Sequence, residues 1–163
     1  MKFKKVFNFL LVLFVLAWMF LIFSFSSQNS SSSLRTSDKF LYKVVEVIKG
    51  HKLTAAERVR IKKKYVFFIR KCAHFFLYFI LGGLIYILLS IIIKSPIKPV
   101  ILAILASFIY ACTDEFHQLF VPGRTSAIFD IMVDTCGSML AIALILLIKS
   151  FFSLILCIFR KKK

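Results

Sequence analysis

Four long apolar runs dominate the chain, and short polar or basic segments separate them. An α-helix rises about 1.5 Å per residue, so about 20 apolar residues match the roughly 30 Å hydrocarbon core of a bilayer. Each run is long enough to cross that core as a helix. The pattern therefore predicts four membrane-spanning helices, with approximate bounds at residues 6–25, 65–93, 100–120 and 127–148.

The first run also allows a second interpretation. A lysine-rich start, an apolar stretch and small residues near Ser24 and Ser26 fit a cleaved signal peptide. The apolar part of a signal peptide is usually about 7–15 residues long, which is shorter than this run. A retained spanning helix is therefore the favoured prediction.

The segment between the first two spans, residues 26–64, is polar and basic and has a serine-rich start. Its middle part has apolar residues on one helical face, lysines opposite and Gly50 as a stop, which is typical of an amphipathic helix on a membrane surface. Thr54 and Glu57 have the spacing of a capping box, so we expect a second helix to begin there and to run into the second span. The apolar positions are Phe40, Leu41, Val44, Val45, Val47 and Ile48.

Short turns join the last three spans. Two prolines in Lys94–Pro99 end one helix and permit the next to begin, and Val121–Ser126 is a second tight turn. The basic tail, residues 149–163, is either an extension of the fourth span or an interfacial helix. We expect one domain, residues 1–163, of the all-α integral membrane class: a four-span antiparallel helix bundle with one or two amphipathic helices between spans one and two.

The composition excludes an ordinary water-soluble domain. Hydrophobic residues make up 60% of the 163 residues, against about 45–50% in soluble domains. A net charge of +16 in a soluble protein would suggest nucleic acid, but these basic residues flank the apolar runs, as they do beside anionic lipid headgroups. We therefore expect membrane lipids, and no nucleic acid, as partners. The four cysteines lie within apolar runs, which argues against a disulfide framework.

Ionisable residues concentrate at one end of three predicted spans. In an antiparallel bundle the start of span two, the end of span three and the start of span four lie on the same side of the membrane. A charge at the bilayer centre costs about 2.5 kcal/mol or more, so such residues usually face the bundle interior or a wet cavity. Four of the seven acidic residues fall here. The ionisable residues at these ends are Arg70, Lys71, His74, Asp114, Glu115, His117, Asp130 and Asp134.

Helical spacing places these residues on inward-facing seams. Polar and small residues recur every three or four positions, and Gly137 and the Gly82–Gly83 pair allow helices to approach closely. Such a seam either holds the bundle together or forms a ligand or catalytic cavity, and the cavity is the favoured hypothesis. The three seams are Lys71, His74, Tyr78 and Gly82; Asp114, His117 and Gln118; and Asp130, Asp134, Gly137 and Ser138.

The carboxylates and histidines of the cluster suggest proton transfer. Neighbouring buried carboxylates are suited to general acid or base catalysis, and the candidates are Glu115, Asp130, Asp114 and His74. The same groups together with His117 supply metal-ligand types, but no closely spaced ligand signature such as His-Glu-x-x-His occurs. Neither a metal nor another cofactor is therefore expected.

The basic residues of the cluster suggest an anionic ligand. Arg70, Lys71 and Arg124 either hold a headgroup or phosphate or extend to the membrane interface. The residues that we expect to bind a ligand are Arg70, Lys71, His74, Tyr78, Asp114, Glu115, His117, Gln118, Arg124, Asp130 and Asp134.

Four strings of residues carry a family resemblance. They are Phe25-Ser-Ser-Gln28, Ile69-Arg-Lys-Cys-Ala-His-Phe-Phe-Leu-Tyr78, Thr113-Asp-Glu-Phe-His-Gln-Leu-Phe-Val-Pro-Gly-Arg124 and Asp130-Ile-Met-Val-Asp-Thr-Cys-Gly137. In this order and at these places relative to four spans, they resemble the VanZ-like membrane protein family over essentially the whole chain. The resemblance implies a bacterial envelope protein, in a family whose founding members raise resistance to teicoplanin and related lipoglycopeptides. It places the family's characteristic positions at Lys71, His74, Tyr78, Asp114, Glu115, Gln118, Arg124, Asp130 and Gly137.

The orientation in the membrane follows only weakly from charge. With the N-terminus inside, ten basic residues lie on the cytoplasmic side and thirteen on the other, so the positive-inside rule is indecisive and slightly contrary. The lysines beside the first span and the family resemblance favour two cytoplasmic termini in the bacterial cytoplasmic membrane. The polar cluster then faces outward.

Two functions of different kinds follow. The favoured hypothesis is an envelope protein that binds a lipid-linked cell-wall precursor or a lipoglycopeptide through the polar cluster and lowers susceptibility to teicoplanin-type antibiotics. The alternative is an intramembrane acid/base enzyme that acts on a lipid-linked cell-wall precursor. A structural scaffold for larger machinery is a third interpretation, and the sequence indicates no oligomeric state.

Overall fold

Helices joined by short connections make up the protein. The computed structural model describes residues 2–28, 30–124 and 127–161, and these residues contain no β-strand. The predicted all-α membrane class is confirmed. The helices are α1 Lys2–Ser26, α2 Ser30–Lys49, α3 Ala55–Ile92, α4 Lys98–Gln118 and α5 Ile128–Lys161.

Within the described residues, four helices are long and apolar enough to cross a membrane. Large apolar side chains cover their outer faces; Phe20, for example, is 70% exposed. Because lipid and not water favours such a surface, the chain is a multi-pass membrane protein. The spanning parts are Lys4–Ser26, Phe67–Ile92, Lys98–Gln118 and Ile128–Arg160.

The tail after the fourth predicted span is a continuation of α5. This helix runs unbroken from Ile128 to Lys161, so residues 149–161 extend the last span and do not form a separate helix. Lys162 and Lys163 lie outside the described residues.

A helical hairpin precedes the second span. Thr54 and Glu57 form the predicted capping box, and α3 begins directly after it and continues through the span. Between α2 and α3, Gly50 has a φ of 71°, a left-handed conformation that favours glycine. Three ion pairs join the two helices in antiparallel order: Asp38–Lys62 at 2.6 Å, Glu46–Arg58 at 3.0 Å and Lys49–Glu57 at 2.6 Å.

The contact between α3 and α5 is the most extensive in the bundle, and small residues make it close. A Cβ atom added to Gly82 would lie 2.5 Å from the Cβ of Ser138, and one added to Gly137 would collide with the backbone carbonyl of Phe75. The Ser138 hydroxyl donates a hydrogen bond to the carbonyl of Tyr78 at 2.9 Å. The two backbones therefore touch at the small residues of the predicted seams.

Two side chains fasten α1 to the other helices. The Trp18 indole donates to the carbonyl of Leu77 on α3 at 3.0 Å, and the Tyr110 hydroxyl on α4 donates to the carbonyl of Met19 at 2.6 Å. Each bond gives a polar group a partner inside an apolar environment, where an unpaired group is costly. α1 is thereby held against both α3 and α4.

The predicted turns lie where the spacing placed them. Pro99 stands in the first turn of α4, a position that needs no backbone N–H donor. After α4 the chain turns through Gly123, whose φ is 74°. The predicted turn Val121–Ser126 is described only as far as Arg124, and Thr125 and Ser126 lie outside the described residues.

Candidate functional site

Four helix segments meet at one side of the bundle: the ends of α1 and α4, the first turns of α5 and the first spanning turns of α3. The chain places polar side chains at each of these ends. Deeply buried among them are Ser26 and Asp134 at 1% exposure, Glu115 and Gln118 at 2%, and Asp114 at 3%. The antiparallel topology therefore brings together the residues that the sequence pattern singled out.

At the centre lies a cluster of His74, Asp114 and Asp134, one residue from each of α3, α4 and α5. One ligand-type atom of each lies within 4.8 Å of the other two, and the Nδ1 of His74 is 3.8 Å from a carboxylate oxygen of Asp134. The close backbone contact at Gly137 and Phe75, one turn farther along, fixes the spacing of α3 and α5 at this point. We call these three residues the triad.

The triad contains buried atoms without hydrogen-bond partners among the described residues. These atoms are both carboxylate oxygens of Asp134, one oxygen of Asp114 and the Nδ1 of His74. Most buried polar atoms in folded proteins have a partner, and each exception requires an explanation. The buried Tyr78 hydroxyl also has no hydrogen-bond partner among the described residues, so the triad contains most, but not all, of the unpartnered buried atoms of the cluster.

A hydrogen-bond network fixes one side of the triad. The Gln118 amide nitrogen donates to the Ser26 hydroxyl at 2.8 Å and to Asp114 at 3.2 Å. The Gln118 oxygen in turn accepts a bond from Arg124 at 3.2 Å. Asp114 is thus oriented from one side, and its second oxygen remains unpartnered.

Arg124 ties the turn between α4 and α5 to the end of α1. Its guanidinium donates to the carbonyl of Gln28 at 3.2 Å and to that of Phe25 at 3.1 Å. The last carbonyls of a helix have no partner within the helix, and a basic side chain can satisfy them. Arg124 therefore has a structural role in addition to its position beside the cavity described below.

Glu115 and His117 also make structural contacts. A Glu115 carboxylate oxygen accepts the backbone N–H of Ala127, immediately before α5, at 3.0 Å. The Nε2 of His117 is 3.1 Å from the Ser27 hydroxyl, and its ring lies 4.5 Å from the Phe23 ring. Neither residue is part of the triad, although sequence reasoning grouped both with it.

Lys71 and Asp130 form an ion pair between α3 and α5. The Lys71 ammonium also lies over the rings of Phe67 and Phe129, 4.9 Å and 5.8 Å from their centroids. This pair accounts for one of the four predicted carboxylates of the cluster. Tyr78, another predicted position, is fully buried beside Tyr110, with ring centroids 6.0 Å apart.

A cavity of about 390 Å³ opens between α1 and α3 and reaches the triad. Its walls are mainly apolar, and basic side chains together with His74 stand at one end. A smaller cavity of about 160 Å³ lies on the other side of His74, beside Lys71 and Asp130. We call the larger one the cleft. It is lined by Trp18, Phe25, Gln28, Arg70, Ala73, His74, Phe76, Leu77, Ile80 and Arg124.

Several of these residues were missed by sequence reasoning. Ser26 and Trp18 lie on α1 and were not among the predicted ligand-binding residues, because α1 carries no charge within its apolar run, although Ser26 belongs to one of the family strings. The signal was available for Ser26, since it ends the first span and therefore lies on the same side as the cluster. The position of Trp18 in the wall of the cleft depends on the rotation of α1, which an almost uniformly apolar helix does not reveal.

These features define a polytopic helical membrane protein with a carboxylate and histidine cluster buried near one end of its spans. The family model described as VanZ/LLP1 matches residues 9–149 of the chain. The chain belongs to this family, as the resemblance of its motifs implied. Comparison with curated proteins and with solved structures gives no match.

Proposed function

We propose that the protein binds a lipid-linked or lipidated anionic ligand in the cleft between α1 and α3. The observation that carries this proposal is the cleft itself, in which apolar walls lead to two arginines. An acyl or prenyl chain suits the walls formed by Phe76, Leu77 and Ile80, and a phosphate or carboxylate suits Arg70 and Arg124. A ligand with both parts fits this arrangement better than a wholly polar or a wholly apolar one.

The proposed place of action is the bacterial cytoplasmic membrane. With both termini in the cytoplasm, the triad and the polar end of the cleft lie toward the outer leaflet. Lipid-linked cell-wall precursors and lipoglycopeptides meet at that surface. Binding of either class there is the proposed route by which the protein lowers susceptibility to teicoplanin-type antibiotics.

Filling the cleft tests this function. Ala73 lines the cleft, whereas its exposed neighbour Cys72 does not. We expect wild-type protein in a susceptible Gram-positive host to reduce growth inhibition by teicoplanin more than inhibition by vancomycin. Ala73→Phe is expected to abolish this protection because the ring occupies the space for the acyl chain. Cys72→Phe adds the same ring outside the cleft and is expected to keep the protection.

Membrane levels measured by immunoblot make this comparison interpretable. Equal protection by equally abundant Ala73→Phe and wild-type proteins would contradict binding in the cleft. No protection by an abundant wild-type protein would contradict the resistance function and leave the fold and the family assignment in place.

One observation favours a second candidate, an intramembrane acid/base enzyme acting on a lipid-linked cell-wall precursor. Asp134 has an unpartnered carboxylate beside His74, whereas Glu115 and Asp130 are engaged in other contacts. In an enzyme, Asp134→Asn would abolish turnover of the precursor while the protein still bound it. For a simple binder, the loss of one polar contact would weaken binding by about 1–3 kcal/mol.

A further inference from the structure

We propose that His74, Asp114 and Asp134 form a binding site for one divalent transition-metal cation. The main evidence is that an imidazole and two buried carboxylates from three different helices lie next to one another. The site stands on these residues alone and does not depend on the ligand proposed for the cleft. Motif spacing did not predict it, because the three ligands come from distant parts of the chain.

The distances between the potential ligand atoms of the triad are slightly longer than in an occupied metal site, and small side-chain movements can bring the atoms to coordination distance. Ligand atoms of the triad lie within 4.8 Å of one another, whereas four ligands about 2.0–2.2 Å from a zinc ion lie about 3.4 Å apart. Rotation of the side chains supplies the difference of up to about 1.4 Å. The backbones need not move, because α3 and α5 already touch at Gly137 and Phe75.

The chemistry of the donors selects the class of ion. One imidazole and two carboxylates suit Zn²⁺, Mn²⁺ or Fe²⁺. Among the described residues, the group of potential ligand atoms contains no cysteine: Cys72, Cys136 and Cys157 are exposed, and the partly buried Cys112 is not among them. Three protein ligands leave at least one coordination position for water or for a ligand, as catalytic and ligand-binding metal sites do.

The charge balance of the triad also calls for a cation. Asp114 and Asp134 are almost fully buried, and two carboxylates that share one imidazole, 3.8 Å from Asp134, are costly in that environment when both are charged. Among the described residues, no lysine or arginine nitrogen lies within ion-pair distance of either one, since Lys71 pairs with Asp130 and Arg124 bonds to Gln118 and two carbonyls. The unpartnered atoms of the triad are the atoms that a metal ion would use.

The surroundings provide support and access. Gln118 holds one oxygen of Asp114 and leaves the other unpartnered, which is how neighbouring groups orient metal ligands. His74 lines both the cleft and the smaller cavity. An ion at the triad is therefore within reach of the anionic end of a molecule in the cleft.

The test uses full-length protein in detergent micelles after removal of metals with a chelator. Titration with Co²⁺ and Zn²⁺, followed by elemental analysis of the desalted protein, is expected to give one ion per chain. Bound Co²⁺ is expected to show visible absorption that Zn²⁺ displaces. We expect His74→Asn and Asp134→Asn each to weaken binding at least tenfold.

Two matched variants control for nonspecific effects. His117→Asn removes a histidine at the same end of the bundle, and Asp130→Asn removes a neighbouring carboxylate; both are expected to keep one ion per chain. Circular dichroism and gel filtration establish that each variant is folded and monodisperse. If Asp134→Asn fails to fold, the proposal is tested by the number of ions bound to the wild type and by the difference in metal binding between His74→Asn and His117→Asn.

Three outcomes would overturn the proposal. The first is a monodisperse wild-type protein that binds neither ion, and the second is binding that survives His74→Asn or Asp134→Asn unchanged. The third is an equal loss of metal binding in His74→Asn and His117→Asn. Binding of metal by a protein that fails to protect against teicoplanin would support the metal site while contradicting the proposed function, so the two proposals fail separately.

Discussion

At the scale of single residues, the seven acidic side chains divide into three groups. Asp38, Glu46 and Glu57 pair with bases of the hairpin outside the spans. Glu115 and Asp130 hold the start of α5. The remaining two, Asp114 and Asp134, keep buried atoms without partners. Asp38 also has a buried oxygen without a hydrogen-bond partner, but it lies in the hairpin, so this last pair provides the available carboxylate atoms at the site.

Arg124 provides a residue-scale prediction, because its guanidinium makes three hydrogen bonds in different directions. A lysine ammonium cannot reproduce the planar fork. We expect Arg124→Lys to lower the free energy of unfolding by on the order of 1–3 kcal/mol, measured by thermal unfolding in detergent. Arg70→Lys serves as the control, since Arg70 lines the same cleft but makes no hydrogen bond to another described residue. Equal stability of the two variants would contradict the structural role of Arg124.

At the scale of helices, the sequence predicted the elements better than their packing. The apolar runs, the capping box at Thr54 and the prolines of the Lys94–Pro99 turn are local signals, and the structure confirms them. Of the predicted apolar face of α2, Leu41 is buried and ion pairs join the helix to α3. Phe40, Val44, Val47 and Ile48 are exposed, so contact of this face with the membrane surface stays a prediction. Periodicity identifies an apolar face without saying whether lipid or another helix covers it.

The hairpin of α2 and α3 is expected to be sensitive to acid. Hydrogen bonds from Lys49 and Thr54 hold the pKa of Glu57 at about 2, below its usual 4.5, and the backbone N–H of Leu53 together with Arg58 lowers the pKa of Glu46. A carboxylate with a lowered pKa stabilises the fold above its unfolded pKa, and this contribution is lost as the pH falls through the folded pKa. We therefore expect α2 to loosen between about pH 4.5 and 2.

Hydrogen-exchange protection of α2, corrected for the intrinsic rate at each pH, measures this loosening. Glu57→Gln is expected to reduce the protection of α2 at neutral pH. On acidification the variant is expected to lose less of its remaining protection than the wild type, because the titrating carboxylate is absent. Protection of α2 in the wild type that stays constant across the acid range would contradict the account.

The close contact of α3 and α5 yields a second helix-scale prediction. A methyl group at position 137 would collide with the backbone carbonyl of Phe75, which cannot rotate away. We expect Gly137→Ala to destabilise the bundle by about 1–3 kcal/mol, measured by thermal unfolding. Gly83→Ala is the control, since its methyl group would lie 3.5 Å from Ile145 and 3.6 Å from Ala141, which are ordinary contact distances. Equal unfolding of both variants would contradict the packing.

The candidate site shows the same division between local and spatial information. Antiparallel topology correctly placed the polar ends of three spans together, and the family motifs marked nine positions among them. The sequence could not predict which carboxylate pairs with which basic side chain, because the pairing depends on the rotation of each helix about its axis. Asp130 was thus a candidate catalytic group by sequence, whereas the structure pairs it with Lys71.

At the scale of the whole molecule, the apolar cleft between α1 and α3 leads to the polar cluster, which is buried between the helices near one end of the spans. α1 forms one wall of the cleft and is held by the Trp18 and Tyr110 hydrogen bonds. The turn that carries Arg124 closes the polar end against α1. This arrangement supports the proposal that the cleft accepts a ligand with an apolar chain and an anionic group.

Native mass spectrometry of the purified protein tests that claim most directly. Wild-type protein and Cys72→Phe are incubated with teicoplanin or with undecaprenyl phosphate, and we expect a one-to-one complex with at least one of them. Ala73→Phe is expected to lose that complex, and vancomycin, which lacks an acyl chain, is expected to form none. The account would be contradicted if the wild type formed no complex with teicoplanin and none with undecaprenyl phosphate. Equal binding by Ala73→Phe and Cys72→Phe would also contradict it.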